Sequence, residues 1–376
     1  MEKAMAEARN PGLDAVRSAA IWMVLLSHLT FFLPRQTVQE SGLWRLEIFG
    51  YYGVELFFVL SGFLIGRILL ETFAASGNAA ALTARLWTFY RRRWYRTLPS
   101  YYLILLVNTL YWQAVRLPQF PATLQPDWRH LVFLQNYDML ASGFFPESWS
   151  LAVEEWFYLL TPLWLLLCRK LLPQHWRAAY VLGAALAALA LAVAAARYGY
   201  VLTYEPIFDY GIRKNSFLRL DSLAVGVGAA WLWLYAPAWH QRMAGKGPAL
   251  LALAVLGGVA LHFWQVGWEG WNRSLWARTL LLDAVSLAFA VLMNVCYYRV
   301  HRTYFVFWGT SQLAYALYLV HLPIFVTLGA WGAGSTAAAR TGLSLVALGA
   351  AYGAAWLLYR LWEQPWLQRR PKQRTG

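Results

Sequence analysis

Arg17 and His28 stand eleven residues apart in LDAVRSAAIWMVLLSHLTFFL, an apolar stretch from Leu13 to Leu33 that also carries Asp14 and Ser27. A helix makes a turn every 3.6 residues and rises 1.5 Å per residue, which puts both side chains on nearly one face, about 16 Å apart along the axis. Titratable groups inside lipid are costly and normally face a protein interior or a water-filled cavity. The pattern therefore marks a site within a membrane, with His28 at its centre. Near neutral pH an imidazole can act as general base toward an acceptor hydroxyl or carry an acyl group transiently, and the spacing leaves both roles open.

Other residues could complete such a site. In SWSLAVEEWFYLLTPL two adjacent carboxylates, Glu154 and Glu155, enter an apolar run, and Glu154 shares a helix face with Tyr158. A carboxylate there can orient an imidazolium, stabilise its charge or carry a proton; the alternative is a structural ion pair with a buried cation such as Arg219. In FYRRRWYRTLPSYY the spacings among Arg91, Arg92, Arg93 and Arg96 aim several guanidinium groups one way. Such a fork suits the phosphates of a cytosolic nucleotide-bearing donor, or else anchors the chain to anionic lipid. His321 in AYALYLVHLPIF reads as a second site histidine or a packing residue bonded to a backbone carbonyl. Arg219 and Asp221 in FLRLDSLAVGVG read as a buried structural pair or a substrate-facing rim. Around Glu55, the glycines Gly50, Gly53, Gly62 and Gly66 permit close helix approach.

These residues need a membrane scaffold to hold them. Hydrophobic residues make up 60% of the 376 positions and charged ones 13%, far from the balance of soluble domains. The net charge of +14 sits in short clusters between apolar runs, a distribution that argues against nucleic-acid binding. The two cysteines show no metal-binding or redox spacing, and no metal is expected. Taking about 20 apolar residues as one span, ten helical spans are expected: 13–33, 49–70, 98–115, 150–168, 178–196, 217–235, 249–267, 277–298, 306–328 and 340–362. The expected fold is an all-α polytopic membrane bundle, one domain over 1–376, with short cytoplasmic tails at 1–12 and 363–376 and no appended soluble domain.

Most of the 32 Lys and Arg gather on one side if both termini are cytoplasmic, which points to a multi-pass protein of the plasma (inner) membrane. In that orientation His28 and His321 come to the same depth, about 22 Å from the inner surface. Glu55, Glu154, Glu155, Arg219 and Asp221 fall near the outer surface, and the arginine cluster near the inner one. Loops 34–48 and 116–149 are the expected determinants of acceptor choice.

The ordered set LDAVRSAAIWMVLLSH, GVELFFVLSGFLI, YRRRWYRTLPSYY, SWSLAVEEWFYLLTP, FLRLDSLAVG and YALYLVHLP resembles the acyltransferase-3 family of integral-membrane O-acyltransferases. The resemblance implies a bundle of roughly ten helices that takes an acyl group, usually acetyl, from cytosolic acyl-coenzyme A. It implies delivery to hydroxyls of surface or exported sugars, and in some members to macrolides or lipids. The family's helix-1 arginine and histidine map onto Arg17 and His28, its basic motif onto Arg91, Arg92, Arg93 and Arg96, and its carboxylate after the Ser-Leu pair onto Glu154. Glu55 stands where many members carry Asp. No counterpart of the extracytoplasmic esterase-like domain of some relatives is expected, and on that reading the chain finishes transfer itself or passes the acyl group to a separate protein. An extended pantetheine arm, comparable to six residues at ~3.4 Å each, spans the ~16 Å from Arg17 to His28. On this reading Arg17 guides the arm, His28 takes the proton or the acyl group, and Glu154 orients His28 or its partner. Two other classes fit parts of the pattern: a proton-coupled secondary transporter, although no repeat relates the two halves, and a non-catalytic component of an envelope glycan machine.

Overall fold

A computed structural model describes residues 9–75, 79–114, 127–137, 144–171, 177–302 and 304–372. Outside them lie 1–8 and 373–376 of the expected tails, and 115–126 and 138–143, which hold much of the loop 116–149. The described residues form a helix bundle. Its long helices are α1 Pro11–His28, α2 Glu47–Ala74, α3 Ala79–Ala114, α4 Ser148–Leu171 and α5 Ala178–Tyr204. They continue with α6 Leu220–Tyr235, α7 Lys246–Arg273, α8 Leu281–Arg299, α9 Phe305–Trp331 and α10 Ala337–Leu358.

Each expected span has its helix, and among the described residues nine segments are long and apolar enough to cross a membrane. The exception is α3. Its apolar part covers most of 98–115, but the helix begins at Ala79 and runs straight through the arginine cluster. The arginines are therefore in mid-helix rather than at its entrance, and their charges lower its apolar character. Beyond α10 the chain does not leave the bundle: a π-helical turn Tyr359–Glu363 leads into a short helix Gln364–Arg369, where a tail was expected.

Helix α2 is the hub. Of its most apolar window 72% is buried inside the bundle, against 22% for α7 and α10, whose outer faces are left for lipid. It packs most extensively on α6 and α1. Glycine makes this possible: a Cβ on Gly62 would run into the Leu223 carbonyl of α6, and one on Gly226 into the Val59 carbonyl of α2. Gly53 lies against α1 in the same way, its Cβ position 2.6 Å from the Ala20 carbonyl. Helix α1 is placed by its start, where Asn10 accepts from the Leu13 N–H at 3.1 Å and its own amide donates to the Tyr297 carbonyl at 3.0 Å.

Candidate active site

A cavity of about 490 Å³ opens between α1, α2, α3, α4 and α9, with the turn after α10 as a further wall. Five arginines line it, Arg17, Arg67, Arg93, Arg96 and Arg370, against three carboxylates, Glu71, Glu154 and Glu363. Arg17 is held at one end, donating to Ser311 Oγ at 3.1 Å and lying 3.5 Å from Asp14, which also pairs with Arg9 at 2.5 Å. Among the described residues the other four arginines carry no ion pair. Arg67 lies over Trp233 at 4.1 Å and Arg93 beside the Tyr158 ring at 5.9 Å. Burial and the charges of Arg92 and Arg96 lower Arg370 to about 10, so it too stays cationic at neutral pH. Guanidinium groups that wall a cavity without carboxylate partners are suited to an anion.

The cluster divides. Arg93 and Arg96 face the cavity, whereas Arg92 donates to the Pro371 carbonyl at 2.7 Å and Arg91 is exposed. Arg67, Glu363 and Arg370 were not singled out from the sequence. Glu363 and Arg370 fell in the expected tail, and their signal was a lone carboxylate and a basic pair at the end of an apolar run.

Glu154 shares the cavity with the arginines rather than lying across the membrane from them. Its two oxygens accept from Ser61 at 3.0 Å and from Tyr158 at 2.8 Å, the expected i,i+4 partner. It does not touch His28. Glu155 turns to α3 and accepts from Thr97 at 2.6 Å, while the Thr97 carbonyl accepts from Tyr315 at 2.8 Å.

The partner of His28 is His321. Nδ1 of His28 and Nε2 of His321 are 3.1 Å apart, and Nδ1 of His321 lies 2.9 Å from the Leu317 carbonyl and 3.0 Å from that of Tyr318. His321 thus makes the backbone contact of a packing histidine and also meets His28 at equal depth. His28 is half-buried and stacks on Phe31; His321 has no exposed surface. Neither ring lines the cavity. Phe57 and Tyr318 do, packed edge to face at 6.2 Å, with Tyr318 6.0 Å from the His321 ring. The Tyr318 hydroxyl bonds Ser150 Oγ at 2.7 Å and the Glu147 carbonyl at 3.0 Å, which fixes the ring as a partition between arginines and histidines.

Glu55, Arg219 and Asp221 form a buried structural network away from the cavity. Arg219 lies 2.6 Å from both Glu55 oxygens and 3.2 Å from Asp221, and Asp221 shares Arg197 with Asp283. Ser222 adds a 3.0 Å bond to Glu55. The network ties α2, α5, α6 and α8, so of the two roles open to Arg219 and Asp221 it is the structural pair that the fold displays.

A family described as an acyltransferase domain, acyltransferase-3, matches residues 10–360. The chain belongs to this family. It is 28% identical to a putative peptidoglycan O-acetyltransferase of Bacillus subtilis (strain 168), YrhL, over 84% of this chain and 48% of that protein. It is 30% identical to the peptidoglycan O-acetyltransferase OatA of Listeria monocytogenes over 43% of this chain and 25% of OatA. A putative O-acetyltransferase of Staphylococcus aureus (strain COL) is 26% identical over 59% of this chain and 35% of its own length. The chain thus spans about half the length of YrhL and a smaller share of the other two. No solved structure matches.

Proposed function

We propose that the chain is a membrane O-acyltransferase that takes an acyl group, most simply acetyl, from acyl-coenzyme A and transfers it to a hydroxyl of an envelope glycan such as peptidoglycan. The observation that carries this reading is the cavity lined by five arginines, four of them without an ion pair among the described residues, with Phe57 and Tyr318 between it and a histidine pair. The phosphates of the donor bind Arg93, Arg96 and Arg370, with Arg67 at the margin. The pantetheine arm passes Arg17, and its ~20 Å reach exceeds the ~16 Å from Arg17 to His28. Tyr318 must turn from Ser150 and the Glu147 carbonyl for the thioester to meet the imidazoles.

The hydroxyl of the acceptor then attacks the thioester carbonyl while His28 takes its proton. A C–O bond forms, the C–S bond breaks, and the proton passes to the leaving thiolate. Two substrates held in one orientation account for much of the rate, as expected where no single strong acid or base is available. Relatives named as peptidoglycan O-acetyltransferases support the glycan as acceptor.

The test is acyl transfer from labelled acetyl-coenzyme A to peptidoglycan fragments by the purified protein in proteoliposomes. His28→Ala is expected to lower the rate by at least ~10²-fold, the lower range for a positioned base, with thermal stability kept. A near-wild-type rate in that variant would exclude His28 from the chemistry.

A further inference from the structure

Three of the four ring nitrogens of the histidine pair have a hydrogen-bonding neighbour, and together these contacts set where the hydrogens sit. A carbonyl oxygen only accepts, so the His321 Nδ1 facing Leu317 and Tyr318 at 2.9 and 3.0 Å must carry the hydrogen. Among the described residues the two rings bond to carbonyls and to each other rather than to carboxylates, so nothing compensates a buried positive charge and the neutral form is favoured. A neutral His321 protonated at Nδ1 offers only a lone pair at Nε2. The 3.1 Å contact therefore requires a hydrogen on His28 Nδ1.

We propose that His321 is a positioning residue that holds His28 as its Nδ1–H tautomer, so that the lone pair of His28 Nε2 is left to take the acceptor's proton. The proposal rests on the reading of His28 as the base. His321 is suited to the task because its own ring cannot wander: it has no exposed surface, is fixed to the helix backbone by two carbonyls and packs edge-on against Phe325 at 5.8 Å. Without it the His28 ring keeps only the Val24 carbonyl of its own helix as a neighbouring acceptor, and the Nε2–H form that predominates for free histidine in water, in which the nitrogen needed as base already carries a hydrogen, gains population.

The experiment reads the tautomer directly. Protein carrying 15N-histidine is placed in lipid nanodiscs without substrates, and long-range 1H–15N correlations are recorded, with the His28 signals assigned by their loss in His28→Gln. The expected result is a protonated Nδ1 and a bare Nε2 for His28. In His321→Leu the pattern should move to Nε2–H and acyl transfer fall on the order of 10²-fold. His321→Gln, whose amide oxygen replaces the lone pair of Nε2, should restore the Nδ1–H pattern and bring the rate to within about tenfold of wild type, the worth of one hydrogen bond. A wild-type His28 protonated at Nε2, or His321→Leu with unchanged tautomer and rate, would overturn the proposal. Because the spectrum is taken without substrates, its outcome is independent of whether His28→Ala abolishes transfer.

Discussion

A carboxyl without a signal in the sequence belongs to Glu147, the residue whose backbone carbonyl accepts from Tyr318. It is 5% exposed, neither of its oxygens has a hydrogen-bond partner among the described residues, and burial pushes it up to about 8 from an ordinary 4.5. The folded state therefore holds a proton that the unfolded chain releases. Between pH 4.5 and 8 stability should fall as pH rises, by at most ~1.4 kcal/mol per pH unit. Glu147→Gln keeps the shape without the charge. Its melting temperature in detergent should match wild type near pH 4.5 and exceed it by a few degrees at pH 8; parallel curves would mean that the ionised carboxylate is solvated. Glu147 was hidden because a lone Glu before SWSL looks like any loop residue. The equal depth of His28 and His321, by contrast, follows from residue counting along two helices. What counting cannot supply is the partner across a helix interface: the i,i+4 rule joined Glu154 to Tyr158 correctly, but the link from Glu154 to His28 had no such basis, and His321 occupies that place.

At the scale of elements, the segment after α10 behaves as part of the site. It docks on α3 through Trp362, which donates to the Pro99 carbonyl at 3.0 Å, through Trp366 packed on Tyr95 at 5.9 Å, and through the bond from Arg92 to the Pro371 carbonyl. The π-helical turn Tyr359–Glu363 carries the helix on from α10, and Glu363, Leu367 and Arg370 line the cavity wall; such turns are frequent at functional sites. Arg370→Gln should therefore raise KM for acetyl-coenzyme A about tenfold, the worth of one charge-assisted hydrogen bond, with kcat nearly unchanged. Initial rates against donor concentration decide it, and an unchanged KM would remove Arg370 from the donor site. The apolar runs made ten helices legible because each needs about 20 apolar residues. The same rule hid the first half of α3 and the end of the chain, since hydropathy counts an arginine as a boundary wherever its side chain points. Here Arg93, Arg96 and Arg370 point into a cavity, and helix continues through or up to them.

For the molecule as a whole, the proposed reading would separate two substrates along α1. Arg17 looks into the cavity, His28 closes the other end of the same helix, and Tyr318 stands between the cavity and the histidines. A donor and an acceptor entering from one mouth would have to pass each other among the arginines, which suit the anion and offer a neutral sugar little. Entry from opposite ends avoids the conflict and gives each substrate its own surroundings. The excess of Lys and Arg expected on the cytosolic side agrees with a donor that enters there. The consequence can be measured in sealed proteoliposomes sorted by orientation, with acetyl-coenzyme A, which does not cross the bilayer, supplied on one side and a soluble peptidoglycan fragment on the other. Transfer should occur when the donor is on the Arg370 side and the acceptor opposite, and should fall to background with the two exchanged. A product formed equally well with both substrates on the Arg370 side would mean that the histidines are reached through the arginine cavity alone, and that Tyr318 opens to admit the acceptor as well as the thioester.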